Sequence, residues 1–184
     1  LSNFEANMDY RDVEDPSIYF TLDARDNFKK IIKGDKFLVW TTTPWCIPGN
    51  LAIAIGKEIE YSRISIKNNF YWIATDRLFE MKDHEIEIVD VSYGEDLIGA
   101  TYIPAYNEYE HLFKDGAFRI IHSDDTNTES GSGLVSQAPA YGESDFYALK
   151  NANIDVIADP VTLSGRFDST FNELNGLNVK DADK

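Results

Sequence analysis

The eleven residues Trp40-Thr41-Thr42-Thr43-Pro44-Trp45-Cys46-Ile47-Pro48-Gly49-Asn50 constrain this chain more than any other stretch. They follow the apolar run Phe37-Leu38-Val39 and carry three threonine hydroxyls, two prolines and two indoles. Each proline fixes φ and removes a backbone donor, so no regular element is expected to run through the segment. The chain must leave a strand and turn, presenting hydroxyls and free backbone N–H groups beside rigid aromatic walls. Such a surface suits a small-molecule pocket.

Strand signals dominate the rest. Ile18–Leu22, Phe37–Thr42, Leu51–Ile55, Tyr61–Ile66, Phe70–Ala74, Ile86–Val91, Ala117–His122 and Gly133–Gln137 are short runs rich in β-branched and aromatic residues. Lys67-Asn68-Asn69 reads as a hairpin turn. Helices are expected over Asp76–Lys82 and Glu143–Asn151, with a shorter one around Asp26–Ile32. Many short strands with few helices predict a mainly β fold with α decorations, an α+β chain built around a closed or nearly closed barrel.

A length of 184 residues suits one domain with a sizeable core. With Lys+Arg 17 against Asp+Glu 32, the net charge is −15, which argues against tight autonomous binding to nucleic acid. Contact with RNA is expected to be local or assisted by a larger basic partner. The single cysteine, Cys46, excludes an internal disulfide framework and fits a reducing compartment. No apolar stretch approaches membrane-spanning length. His84, His111 and His122 show no metal-ligand spacing, and no metal is expected. Both ends of the sequence look cut, so residues 1–184 read as one domain excised from a longer chain.

A second segment, Gly131-Ser132-Gly133-Leu134-Val135-Ser136-Gln137-Ala138-Pro139-Ala140-Tyr141-Gly142-Glu143-Ser144-Asp145, reads as strand, turn and helix start. Its glycines suit close backbone approach or positive φ, and the junction collects unpaired N–H groups. Asp145 has two readings from the residues alone: a carboxylate favouring its own helix dipole, or a ligand-binding anion. The threonine run likewise reads as either solvated turn chemistry or a binding loop.

Taken together, the two segments resemble the editing domain inserted into isoleucyl-tRNA synthetases. The common forms in that family are W-T-T-T-P-W-T-L-P-x-N and G-T-G-[IV]-V-H-x-A-P-A-[FY]-G-x-x-D. Gly131, Gly133, Val135, Ala138, Pro139, Ala140, Tyr141, Gly142 and Asp145 fall on the second pattern. Valyl and leucyl relatives look like T-T-R-P-x-T at the first site, so Pro44-Trp45 after three threonines favours the isoleucyl branch. The chain departs from the pattern at Ser136, where the family usually has histidine, and at Cys46, where it has threonine.

The resemblance implies a proofreading hydrolase. The synthetic site of such an enzyme must separate isoleucine from valine, and one methylene is worth only about 1–3 kcal/mol, a limit for which this family is the standard case. A second site then hydrolyses the ester of mischarged Val-tRNA(Ile). By resemblance, Asp145 binds the substrate's α-ammonium, and Thr41, Thr42 and Thr43 hold the aminoacyl group and terminal adenosine. Trp45 supplies an apolar wall, Asn50 a polar contact, and Ser136 lines the amino-acid pocket. The implied partners are the 3′ end of tRNA(Ile) carrying valine and the remainder of a parent synthetase, in the cytoplasm. No cofactor is expected in this domain, whereas the parent enzyme would use ATP and Mg. The isolated domain is expected to be a monomer. The alternative is a degenerate domain that binds aminoacyl-tRNA ends without useful hydrolysis. Cys46 is expected to be a buried, inert thiol.

Overall fold

The computed structural model describes residues 16–183. Eight strands form one sheet: β1 (Ile18–Asp23), β2 (Lys36–Thr41), β3 (Ala52–Ile55), β4 (Glu60–Ile66), β5 (Asn69–Ala74), β6 (Glu87–Tyr93), β7 (Arg119–His122) and β8 (Val135–Gln137). Each of the eight expected strands is present, with ends shifted by a few residues. Two α-helices follow, α1 (Glu143–Asn151) and α2 (Val179–Ala182). The fold is therefore mainly β with helical decorations, as the residue pattern predicts.

Strand β2 organises the sheet. β1 pairs antiparallel along its whole length, from Ile18 opposite Thr41 to Asp23 opposite Lys36. A strand has two edges, so β5 and β8 share the other one. β5 runs parallel beside Lys36 and Phe37, and β8 runs parallel beside Trp40. The sheet forks there. One branch is the antiparallel lobe β5-β4-β6. The other runs β8-β3-β7, antiparallel and then parallel.

The second branch curls back on itself. Single bridges join Thr101 to Arg119 of β7 and Tyr102 to Ala24, just beyond β1. The backbone bonds Tyr102 N–H to Phe118 O, 2.9 Å, and Ile103 N–H to Asp23 O, 2.9 Å, complete the circuit. The main core fills this curled sheet and includes Phe37, Val39, Leu51, Ile53, Tyr61, Trp72, Tyr102 and Phe118. Strand alternation sends Leu38 to the opposite face of β2, where it meets Ile64 and Ile73 in a second, smaller cluster.

One buried ion pair ties the fork together. Asp35, just before β2, accepts two bonds from Arg63 of β4, Nε at 2.8 Å and Nη2 at 2.7 Å. Trp72 Nε1 of β5 and the Ile32 N–H also donate to it, each at 3.0 Å. The carboxylate is thus fully engaged, and the guanidinium lies over the Phe70 ring at 4.0 Å.

Three local expectations change. The stretch around Asp26–Ile32 is no helix but a tight reversal in which Phe28 and Ile31 exchange backbone bonds of 3.0 and 2.8 Å. Asn27 Oδ1 and Asp35 Oδ2 accept the N–H groups of Lys33 and Ile32, offering the backbone partners that a helix would otherwise supply. The expected helix over Asp76–Lys82 is a 3-10 helix, Thr75–Met81. Pro44–Gly49, expected to be irregular, also forms a 3-10 helix, with Pro44 in its first turn where a missing N–H costs nothing. The β4–β5 turn is Lys67-Asn68, both at positive φ (48° and 67°), as a two-residue hairpin turn matching sheet twist requires. Asn69 opens β5 instead. Among the described residues, no helix is long and apolar enough to cross a membrane.

Candidate functional site

The ends of β2 and β8 lie side by side, so the segments following them meet. The first is the threonine loop and its 3-10 helix; the second is the turn into α1. Between them lies a cavity of about 220 Å³ lined by Thr41, Thr43, Trp45, Ser136, Tyr141 and Asp145, with Cys46, Ala138 and Gly142 completing it.

Thr41 ends β2 and is buried. Its Oγ1 accepts the Thr43 N–H at 3.1 Å and lies 3.4 Å from Thr43 Oγ1, so part of its capacity is spent on turn chemistry. The 3-10 helix then carries Trp45 against Tyr141, with ring centroids 4.8 Å apart and planes at 59°. The Trp45 N–H donates to Asp183 Oδ1 at 2.9 Å, docking the C-terminal segment behind this wall. Cys46 is buried, and burial pushes its thiol up to about 11, with Asp145 and Asp183 adding to the shift. Burial and the neighbouring Asp159 likewise hold the Tyr141 phenol above its ordinary range.

On the other side, Gly131 (φ +68°) and Gly133 (φ +77°) lead into β8. A Cβ at 131 would lie 2.5 Å from the Trp40 ring, and one at 133 would lie 2.5 Å from Ala74 Cβ. Both the conformation and the close approach require glycine. β8 presents Ser136 opposite Ile53 of β3.

Asp145 is the third residue of α1. It does not cap its own helix; Oδ2 accepts the Ala138 N–H at 2.8 Å, across the turn. The other oxygen, Oδ1, meets Ser144 Oγ at 3.5 Å. Burial raises the Asp145 pKa, opposed by the Ala138 and Ser144 hydrogen bonds. A half-buried carboxylate on a small, partly apolar cavity is suited to a compact cation.

Five of the seven residues singled out in sequence line the cavity: Thr41, Thr43, Trp45, Ser136 and Asp145. Thr42 is exposed and outside the lining. Asn50 is buried one layer behind, where its Nδ2 donates to Ser136 Oγ and to Ala52 O, both at 2.9 Å. Its Oδ1 accepts from Tyr102 Oη at 2.6 Å. Tyr102 lies in a stretch without strand or motif signals and has no mark in the sequence. Among the described residues no group of three or more His, Cys, Asp or Glu is gathered as metal ligands.

The whole chain is similar in sequence to known proteins. The chain is 40% identical over 196 residues to an isoleucine–tRNA ligase of Bdellovibrio bacteriovorus, covering 100% of this chain and 17% of the relative. It is 40% identical over 188 residues to that of Protochlamydia amoebophila, covering 100% of this chain and 18% of the relative. The cytoplasmic isoleucine–tRNA ligase of Saccharomyces cerevisiae is 35% identical over 194 residues, with coverage of 100% and 18%. The chain thus spans less than a fifth of each. No protein-family model matches it.

Solved structures share the fold at low identity. The GlLeuRS-CP1 crystal structure matches with a TM-score of 0.58 at 15% identity, covering 74% of this chain and 59% of that one. The editing domain of the Plasmodium knowlesi cytosolic leucyl-tRNA synthetase (P. knowlesi) matches with a TM-score of 0.56 at 10% identity, covering 73% and 60%. By sequence the chain is related to a segment of isoleucine–tRNA ligases, and its fold is that of the CP1-type editing domains of leucyl-tRNA synthetases.

Proposed function

We propose that this domain hydrolyses the ester of mischarged Val-tRNA(Ile) within an isoleucine–tRNA ligase. The observation that carries the reading is Asp145, a half-buried carboxylate fastened through Oδ2 and bordering a small cavity. An aminoacyl ester has one fixed cation, its α-ammonium, and a bound ammonium favours the ionised carboxylate that burial alone disfavours. Trp45 and Tyr141 form an apolar wall for the side chain, and a cavity of about 220 Å³ suits a small aliphatic group. Thr41 and Thr43 supply hydroxyls for the ester and the terminal ribose.

No histidine or lysine lines the cavity. The attacking water is therefore activated by positioning and by the substrate's own vicinal hydroxyl, and the protein's part is orientation and charge stabilisation. The 3′ end of tRNA(Ile), the remainder of a ligase using ATP and Mg, and a cytoplasmic setting belong to the same proposal. With a net charge of −15, the domain relies on that remainder for its grip on the phosphates.

The test is deacylation of Val-tRNA(Ile) and Ile-tRNA(Ile) by the natural full-length protein, wild type against Asp145→Ala. The wild type is expected to hydrolyse the valyl ester preferentially. Removing a charge-assisted bond worth about 1.5–3 kcal/mol should lower kcat/KM by about 10- to 100-fold. Equal rates for the two proteins overturn the anchor role. Binding of Val-tRNA(Ile) without hydrolysis in the wild type replaces the proposal with a binding domain.

A further inference from the structure

Three side chains form a hydrogen-bonded chain from the core to the cavity, and its polarity can be worked out atom by atom. Asn50 Nδ2 lies 2.9 Å from Ala52 O, and a carbonyl oxygen only accepts. The amide is therefore oriented with nitrogen toward β3 and β8, and Oδ1 toward Tyr102. Tyr102 Oη, 2.6 Å from that oxygen, must donate its single hydrogen to it. The second N–H of Asn50 goes to Ser136 Oγ at 2.9 Å, so Ser136 accepts. Its own hydrogen has no acceptor among the described residues, while the residue lines the cavity.

We propose that Ser136 is the hydrogen-bond donor of the cavity, and that Tyr102 is a positioning residue that sets the donor's direction through Asn50. The inference rests on the ester-hydrolase reading above. The acceptor is the carbonyl oxygen of the aminoacyl ester. Ser136 and Ala138 share one face of the β8 extension, about 7 Å apart along it, and Ala138 holds the carboxylate assigned to the ammonium. An α-ammonium at Asp145 brings the adjacent carbonyl toward Ser136. As that oxygen gains negative charge in the tetrahedral state, a preset donor stabilises it without reorientation. No proton is transferred.

The chain is rigid at its buried end. Tyr102 is fully buried, its ring edge-on to Phe118 with centroids 5.9 Å apart. Burial pushes its phenol well above 10, against the pull of the Asn50 bond, so it stays protonated and the polarity of the chain holds across the working pH range. Without the Tyr102 hydroxyl, Asn50 Oδ1 is left unpaired in the core. The amide, still oriented by Ala52 O, loses the partner that fixes its position and so the direction of its N–H toward Ser136.

The experiment is single-turnover hydrolysis of Val-tRNA(Ile) by the natural full-length protein carrying Ser136→Ala, Tyr102→Phe, both, or Ser136→Thr. Loss of a preset oxyanion donor is expected to lower the rate of Ser136→Ala by about 10²-fold. Tyr102→Phe keeps the ring and is expected to lose roughly tenfold. The double variant should match Ser136→Ala alone, because Tyr102 acts only through Ser136. Ser136→Thr keeps the hydroxyl and should keep most of the rate. A Tyr102→Phe rate equal to wild type, or a double-variant loss equal to the product of the two single losses, overturns the relay. Should Tyr102→Phe fail to fold, equal rates for Ser136→Ala and Ser136→Thr overturn the donor assignment. A wild type without hydrolysis overturns the ester-hydrolase reading itself, a result distinct from each of these.

Discussion

The carboxylate of Asp145 and the backbone N–H of Ala138 are 2.8 Å apart, joining the first turn of α1 to the end of β8. The bond decides what Asp145 does. An acidic residue at this helix position commonly reaches back to its own N-terminus; here it crosses the turn and holds the strand-to-helix corner against the cavity. Gly142 makes room for it.

Gly142→Ala tests that room. The backbone at 142 (φ −122°, ψ 128°) suits alanine, yet a Cβ would lie 2.9 Å from Asp145 Cγ and 3.0–3.1 Å from both carboxylate oxygens. The carboxylate must move, and displacement of a positioning group by about 1 Å costs about 10²-fold in rate. Circular dichroism should show an intact fold while Val-tRNA(Ile) hydrolysis drops by that order. A fully active alanine variant would show that the carboxylate's position is not critical.

Asp145→Asn should separate function from stability. Because burial raises the folded-state pKa, the folded protein binds a proton over the window from the unfolded value, about 3.9, up to the raised one. Wild-type stability is therefore lost as pH rises through that window. Asparagine keeps an acceptor for Ala138 and has no such loss. The Tm difference, variant minus wild type, is expected to be more positive at pH 7 than at pH 3. The reverse trend would mean that the Ala138 bond outweighs burial.

Cys46 should resist alkylation. With its thiol at about 11 rather than 9.0, the thiolate fraction at pH 8 is lower by about 100-fold. Iodoacetamide labelling of the native protein should be slower than labelling in urea by at least that factor.

Asp35→Ala should be the most damaging of these changes to stability. It strands the buried Arg63 guanidinium and the Trp72 N–H. Breaking a buried pair from one side costs about 3–5 kcal/mol. Urea unfolding should report that loss in ΔG, and a shift under 1 kcal/mol would mean that water replaces the carboxylate.

Much of this arrangement is legible in the sequence because it rests on local pattern. The runs around Val39, Ile53, Ile64 and Ile120 alternate or cluster as strands must, whatever surrounds them. Two motifs reveal the cavity because each is contiguous, and Tyr141 and Gly142 lie inside the second. The misread stretch around Asn27 fails for an equally local reason: short polar side chains compete with the helix ladder. Asn50 is different. Its chemistry is legible as polar, but its bonds run to Tyr102, 52 residues onward, and to Ser136, 86 onward. Spacing along the chain says nothing of such a triad until the sheet has curled.

The fork in β2 has a consequence for how this domain can change over time. The β4–β6 lobe pairs with the first two residues of that strand. It also grips the turn before β8, where Tyr61 Oη donates to Gly133 O at 2.8 Å and the Ala74 N–H donates to Ser132 O at 2.9 Å. Substitutions at the outer edge of the lobe, on β6, are therefore free to vary, whereas any that shift Tyr61 or Ala74 move the strand that carries Ser136.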